Sequence, residues 1–201
     1  MTICLVTDRR QSDVLEQTRR AVDAGVDVIQ VREPDLEAAP LAELVSSVLG
    51  IARSSSTRVT VNDRLDVAMA CGADGVHLRA DSMTPADARR LAPARFLVGR
   101  SVHNPAEAGA AGGADYLIAG TVFPTSSKPG VSCLGVEGLR AIVQTSTAPV
   151  LAIGGVTRDR LPAIAATGAA GVAAIGLFAH GSLVEIVKAA RAVFDTVKAR
   201  P

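Results

Sequence analysis

Two glycine-rich segments carry the groups in this sequence that could bind a phosphate. The first contains the hydroxyls of Thr125 and Ser127 and the amine of Lys128, and the second contains the pair Gly154 and Gly155. Each follows a short apolar run that is typical of a strand. Because glycine loops expose backbone N–H groups to anions, the two loops together predict a phosphate site. A tight strand-to-helix turn would explain the glycine pair equally well.

Arginines follow several of the predicted strands. They are Arg9, Arg32, Arg64, Arg79 and Arg100. Guanidinium groups form two-point contacts with carboxylate or phosphate oxygens, so this set predicts a ligand with more than one acidic group. About half of these arginines are expected to pair instead with neighbouring carboxylates, since semi-buried charges require partners.

Composition argues against several classes of protein. The 21 basic and 20 acidic residues nearly cancel, and aromatic residues make up only 2%, which excludes a general nucleic-acid or membrane-surface binder. No apolar run approaches the roughly 20 residues of a membrane span, and no signal peptide opens the chain. The three cysteines have no CxxC spacing and are interpreted as reduced thiols. We therefore expect a soluble, cytoplasmic protein.

The phrase Gly-x-Asp, followed by apolar residues, recurs along the chain. It begins at Gly25, Gly72 and Gly113, and Gly168 starts a variant that lacks the acid. Each time an alanine-rich helical pattern ends at the glycine and a short apolar run follows. Glycine after a helix takes the left-handed conformation that ends it, and such a run suits a strand covered on both faces. The phrase thus predicts the helix-to-strand junctions of a parallel sheet.

Filling in the remaining elements gives eight strand–helix units in one domain that spans residues 1–201. The predicted strands are 3–6, 26–31, 58–61, 75–78, 96–99, 116–119, 150–153 and 171–175. The predicted helices lie near 12–24, 36–54, 64–71, 84–91, 104–112, 135–145, 158–167 and 181–198. This count is that of a (β/α)₈ TIM barrel, whose active sites lie where the strands end. A doubly wound open sheet competes, but its dinucleotide fingerprint is absent.

Several runs, in order along nearly the whole chain, resemble the thiamin phosphate synthase/TenI family. They include Gln30-Val-Arg-Glu, Val61-Asn-Asp-Arg-Leu-Asp, Gly72-Ala-Asp-Gly-Val-His-Leu, Gly120-Thr-Val-Phe-Pro-Thr-Ser-Ser-Lys, Leu134-Gly-Val-Glu-Gly-Leu and Ala152-Ile-Gly-Gly-Val. The resemblance implies a (β/α)₈ barrel and recognition of a thiazole phosphate by Thr125, Ser127, Gly154 and Gly155, with backbone N–H groups near Gly176. Further substrate contacts are expected from Gln30, Arg32, Asn62, Lys128, Arg79 and Arg100.

The family contains synthases, which join hydroxymethylpyrimidine pyrophosphate to thiazole phosphate with Mg²⁺. Two of the positions that the resemblance associates with that reaction are altered: Pro34 replaces a lysine and Ser82 replaces an aspartate. Proline carries neither a charge nor a hydrogen-bond donor. Under the synthase hypothesis, Asp63 and Asp81 would hold the Mg²⁺, and Arg79 would take over diphosphate binding from the missing lysine.

TenI-type members instead shift a double bond in a thiazole phosphate, a proton transfer without metal or cofactor. Here Thr121 stands where the resemblance places the proton-shuttling histidine, and His103 or Cys133 could replace it. With Ser101, His103 and Thr121 as catalytic candidates, the sequence favours a TenI-like tautomerase. A synthase is the alternative, and a non-catalytic binder of thiazole phosphate is the third hypothesis. Whether the chain forms a homo-oligomer is left open.

Overall fold

Eight parallel strands close into a barrel in sequence order in the computed structural model, which describes residues 1–125, 130, 132–178 and 181–198. The strands are β1 Thr2–Val6, β2 Val28–Val31, β3 Arg58–Asn62, β4 Gly75–Leu78, β5 Leu97–Val102, β6 Tyr116–Ala119, β7 Val150–Ala152 and β8 Gly171–Ala174. The barrel closes through the pairing of β8 with β1. The prediction of a (β/α)₈ TIM barrel is therefore confirmed.

A helix follows every strand and covers the outside of the barrel. The helices are α1 Val14–Asp23, α2 Ala38–Ala52, α3 Leu65–Ala70, α4 Pro85–Leu91, α5 Pro105–Gly109, α6 Gly135–Thr145, α7 Leu161–Ala165 and α8 Leu183–Lys198. Two 3₁₀ turns, Arg158–Arg160 and Gly176–Phe178, lie in the loops after β7 and β8. Within the described part of the chain, no helix combines the length and apolar character needed to cross a membrane.

The fifth strand is longer than the sequence predicted. Arg100, Ser101 and Val102 continue β5 by pairing with β6, although the strand was expected to end at Gly99. Since neighbouring strand residues face opposite sides, Ser101 points into the barrel and Arg100 points away from it. This alternation changes what the two side chains can contact.

The core has two parts, as strand alternation requires. Residues such as Ile3, Leu5 and Ile29 face outward into the large layer between strands and helices. A smaller cluster fills the barrel interior, and it includes Cys4, Val6, Val28, Tyr116, Ile118, Leu151 and Ala173. Successive residues of β1 thus belong alternately to the two clusters. This packing holds the carboxyl ends of the strands in a fixed ring.

The aspartates of the repeated Gly-x-Asp phrase all make the same contact. Each aspartate precedes an even-numbered strand. Its Oδ2 accepts a 2.7 Å hydrogen bond from the backbone N–H of the second residue in the strand before that one. The pairs are Asp27 with Ile3, Asp74 with Val59, and Asp115 with Val98. In the fourth repeat Ala170 replaces the acid, and its carbonyl accepts from Thr2. The glycine of all four repeats has a positive φ, as predicted.

Candidate active site

One cavity at the carboxyl ends of the strands, called the first cavity, lies among the loops that follow β6, β7 and β8. It encloses about 530 Å³. Its lining includes Thr125, Gly154, Gly155 and Gly176, four of the residues predicted to bind phosphate. The fold therefore brings these four together from three separate loops. Two other predicted ligands, Ser127 and Lys128, lie outside the described residues.

Neither glycine of the pair after β7 can carry a side chain. Gly154 has φ +96°, and a Cβ there would lie 2.5 Å from Cγ2 of Thr121. Gly155 has φ +61°, and its Cβ would lie 2.6 Å from the carbonyl oxygen of Pro124. No acceptor for either N–H group is found among the described residues. The glycine pair thus forms a tight turn and also leaves backbone N–H donors available. Such donors suit an anion.

Two arginines of this cavity were missed by the sequence analysis. Arg158 and Arg160 form the 3₁₀ turn after β7 and line the cavity. Nη1 of Arg160 donates to the carbonyl of Gly155 at 2.7 Å, and its guanidinium lies 4.7 Å above the ring of Phe123. Basic residues are disfavoured in the first turn of a helix. Two arginines at a predicted helix start were therefore a signal in the sequence that these side chains have another role.

The second cavity lies on the same face, among the loops that follow β2, β3 and β4. It encloses about 300 Å³, and its lining includes Arg32, Pro34, Asn62, Asp63, Arg64 and Arg79. The half-buried Arg32 makes no side-chain ion pair or hydrogen bond with any residue that the structure describes, although its backbone N–H donates to Thr7. An unpaired guanidinium in a cleft is a natural ligand for an anion.

Three other arginines of the rim are paired with carboxylates, in line with the expectation for about half of the set. Arg9 contacts Asp35 at 2.8 Å, Arg64 contacts Asp66 and Arg79 contacts Asp81. Hydrogen bonds from Arg9 and Arg10 lower the pKa of Asp35, and the bond from Arg64 lowers that of Asp66. These ion pairs connect side chains that follow the carboxyl ends of the strands.

Arg100 contacts protein groups at the position where a substrate contact was expected. Its guanidinium donates to the carbonyl oxygens of Ala80 at 2.6 Å, Met83 at 2.5 Å and Ser82 at 3.3 Å. The outward direction of this side chain on β5 explains the difference. In this structure Arg100 fixes the loop after β4.

Polar side chains also meet inside the barrel, below the second cavity. Nε2 of Gln30 donates to Oδ1 of Asn62 at 2.9 Å, and Nε2 of His77 lies 2.9 Å from Oγ of Ser101. Burial lowers the pKa of His77 to about 3, so its ring is neutral. Oε1 of Gln30 and Nδ1 of His77 are buried and have no partner in the described part of the protein. Nδ1 of His77 faces the backbone of Gly99, where an added Cβ would lie 2.5 Å from it.

The proposed proton-transfer residues lie apart from one another. His103 is exposed, and both its backbone N–H and its Nδ1 contact Oε2 of Glu107, at 2.8 and 3.1 Å. The histidine is therefore part of the start of α5 and is absent from the lining of both cavities. Thr121 packs against Gly154, and its carbonyl accepts from Leu134. Thr121 thereby shapes the glycine turn.

The two predicted magnesium ligands come together, with a guanidinium between them. Arg79 donates to both carboxylate oxygens of Asp81, at 3.0 and 2.5 Å. Its backbone N–H donates to Oδ1 of Asp63 at 3.2 Å, and its Nη1 lies 3.8 Å from Oδ2 of the same residue. The bond from Arg79 lowers the pKa of Asp81. Among the described residues, no three acidic, histidine or cysteine side chains are grouped to hold a metal. The pair fits a guanidinium and does not form a ready site for Mg²⁺.

Comparison with known proteins identifies the family. The family model described as "Thiamine monophosphate synthase" matches residues 3–178. A thiamine-phosphate synthase of Methanoregula boonei is 45% identical over 164 residues, which is 80% of this chain and 76% of the relative. A second, from Pyrococcus furiosus, is 37% identical over 177 residues, 87% of this chain and 85% of the relative. The solved "Thiamine phosphate pyrophosphorylase" of Pyrococcus furiosus superposes with a TM-score of 0.86 at 34% identity and covers 98% of this chain and 96% of that one. The chain belongs to the thiamin phosphate synthase/TenI family.

The preference for a tautomerase, an isomerase, is wrong. The relatives at 37–45% identity carry the name of the synthase, which is a transferase. Two altered positions, Pro34 and Ser82, received too much weight against the synthase, although Arg79 was already considered as a replacement for the missing lysine. Arg79 lines the second cavity with Asp63, and its guanidinium also contacts Asp81. The catalytic roles assigned to His103, Thr121 and Ser101 for proton shuttling belong to the rejected reaction.

Proposed function

We propose that this protein is a thiamin phosphate synthase, which joins hydroxymethylpyrimidine pyrophosphate to thiazole phosphate. The observation that carries the proposal is the presence of two cavities with anion-binding groups on one face of the barrel. The names of the relatives at 37–45% identity support the same transferase activity. The products would be thiamin phosphate and inorganic diphosphate.

In this proposal the first cavity takes the phosphate of the thiazole. The N–H groups of Gly154 and Gly155 have no acceptor among the described residues, and Thr125 and Gly176 line the same space. Arg158 contributes positive charge, because its only ion pair in the described residues is a loose one of 3.9 Å with Glu185. Ser127 and Lys128 remain predicted ligands of this phosphate from the sequence.

The second cavity would take the pyrimidine diphosphate. Arg32 and Arg79 supply charge, the amide of Asn62 lines the same space, and Nε2 of Gln30 donates to that amide's Oδ1. Amide groups offer both donors and acceptors, which suits the ring nitrogens and amine of a pyrimidine. Ser101 lies on the inner side of β5, where its Oγ is 2.9 Å from Nε2 of the buried His77.

The reaction is a substitution at the exocyclic CH₂ of the pyrimidine. The bond from this carbon to the diphosphate oxygen breaks, and the oxygen leaves with the electron pair. A new bond forms between the same carbon and the ring nitrogen of the thiazole. The cationic groups of the second cavity would stabilise the negative charge that develops on the leaving oxygen, and the loops would hold the nitrogen near the carbon.

Mg²⁺ remains an expectation of the synthase hypothesis. A Mg²⁺ that enters with the diphosphate would neutralise its charge and would use phosphate oxygens and water as most of its ligands. Asp63 and Asp81 are the carboxylates that the sequence predicted to hold it, but Arg79 already contacts both. We therefore assign no step of the reaction to a metal held by the free protein.

The proposal is tested by incubating the purified protein with both substrates. Phosphorus NMR should show equal amounts of inorganic diphosphate and thiamin phosphate, and neither should form when one substrate is omitted. Thiazole phosphate that binds but never forms the carbon–nitrogen bond would contradict the proposal. Exchange of a thiazole ring proton with solvent, without product, would contradict it as well.

A further inference from the structure

The Arg79 side chain, which lines the second cavity, has a carboxylate on each of two sides. Asp81 accepts bonds from its Nε and Nη2, and Asp63 accepts from its backbone N–H and lies 3.8 Å from its Nη1. The Asp63 backbone has φ +59°, which is unusual for a residue other than glycine and turns this carboxylate toward Arg79. The charge of Arg79 is thus placed by contacts on both sides.

Arg100 also holds the loop that carries Arg79. The guanidinium of Arg100 donates to the carbonyl oxygens of Ala80, Ser82 and Met83, the residues that surround Asp81 in sequence. Because Arg100 belongs to β5, these bonds attach the loop to the barrel wall. The backbone of the loop that carries Arg79 is therefore held by protein contacts, which reduces the entropy lost on binding.

Arg79 retains donors for a ligand after these contacts. A guanidinium carries five N–H donors, and Asp81 occupies two of them. The Nη1 group makes no hydrogen bond to any residue that the structure describes, and 58% of the side chain is exposed. Arg32 lines the same cavity without a described ion pair. Two guanidinium groups in one cleft match the oxygens of a diphosphate.

We propose that Arg79, oriented by Asp63 and Asp81, is a diphosphate-binding cation that allows the free protein to bind this anion without a divalent metal. The inference rests on the proposed function, because it concerns the leaving group of that reaction. Asp63 and Asp81 then act as positioning residues for the guanidinium. Two carboxylates that both contact an arginine have less negative charge to offer a divalent ion.

The first test measures the binding of inorganic diphosphate by calorimetry in the presence of EDTA. The wild-type protein should bind, and Arg79→Gln should weaken binding by about tenfold, the loss expected for charge-assisted hydrogen bonds. Arg90→Gln is the matched control, since Arg90 is an exposed arginine that pairs with Asp87 on α4 and is absent from the lining of both cavities. That control should bind as the wild type does.

The second test measures Mn²⁺ binding to the free protein by electron paramagnetic resonance. Removing the guanidinium releases both carboxylates, so Arg79→Gln should bind Mn²⁺ about tenfold more tightly than the wild type. Asp63→Asn introduced into Arg79→Gln should abolish this gain. Together the two measurements separate a lost diphosphate ligand from a disturbed fold, because one affinity falls while the other rises.

The inference is overturned if the wild-type protein binds diphosphate only after Mg²⁺ is added, or if Arg79→Gln binds it equally well in EDTA. It is also overturned if wild type and variant bind Mn²⁺ with the same affinity. Failure of the proposed function has a different signature. In that case diphosphate would bind without metal, yet no thiamin phosphate would form from the two substrates.

Discussion

The buried imidazole of His77 makes the stability of the protein depend on pH. Burial lowers its folded-state pKa to about 3, whereas the unfolded chain has a value near 6.5. Between these two values the unfolded state binds a proton that the folded state does not, so stability falls as the pH falls from 6.5 toward 3. Each pH unit in this window costs up to roughly 1.4 kcal/mol.

His77→Gln should remove this contribution, because glutamine can still hydrogen-bond to Ser101 but does not titrate. Urea denaturation at pH 7, 6, 5 and 4 would give the free energy of unfolding of both proteins. The two curves should converge as the pH falls, with the variant losing less stability. Parallel curves would show that His77 does not titrate with a lowered pKa.

Gly155 tests whether the glycine turn builds the phosphate site. Gly155→Ala should raise the KM for thiazole phosphate at least tenfold, because the new Cβ would meet the carbonyl of Pro124 at 2.6 Å and displace the loop. Gly25→Ala is the matched control: it also has a positive φ, of +72°, but nothing lies within 4 Å of its Cβ. Steady-state kinetics of both variants would decide, and an equal change in KM would contradict the assignment.

The sequence predicted the position of some residues of this site and not of others. Thr125, Gly154, Gly155 and Gly176 were expected to bind one phosphate, and the structure brings them to one cavity, because each stands in a loop whose strand end could be recognised. The role of Arg100 could not be predicted, because its direction depends on the last two residues of β5. Charge alone did not distinguish an arginine that binds a loop from one that binds a ligand.

Among the secondary-structure elements, the repeated aspartates hold the amino-terminal ends of strand pairs together. Asp74→Ala should destabilise the fold by about 1–3 kcal/mol, because the buried N–H of Val59 loses its 2.7 Å partner. Asp74 is the best of the three to test, since no ion pair of its side chain is described, unlike Asp27 with Arg191. Glu43→Ala, at an exposed position of α2, should change the stability by less than about 0.5 kcal/mol.

Denaturant unfolding of these two variants gives the comparison. Equal stability of Asp74→Ala and the wild type would mean that this N–H finds another acceptor.

The spacing of the repeat predicted the helix ends and strand starts, because glycine after a helix and an apolar run are local signals. The contact of each aspartate with the preceding strand was not predictable from spacing, since it depends on how neighbouring strands are staggered.

At the scale of the whole molecule, the fold class and its functional face followed from the count of strand–helix units and the position of polar residues after each strand. The choice between two reactions did not follow from the altered positions Pro34 and Ser82, and the names of the relatives at 37–45% identity overturned it. The extent of the domain over residues 1–201 and a cytoplasmic location stay predictions, and the question of a homo-oligomer stays open.

The central claim is that the two cavities of one barrel face bind two different anions. Amide NMR of the isotope-labelled protein, titrated separately with thiazole phosphate and with inorganic diphosphate, tests it most directly. Thiazole phosphate should shift the signals of Gly154, Gly155 and Gly176, and diphosphate should shift those of Arg32, Asn62 and Arg79. If both ligands shift the same set of signals, or if neither shifts these residues, the account of two separate sites is contradicted.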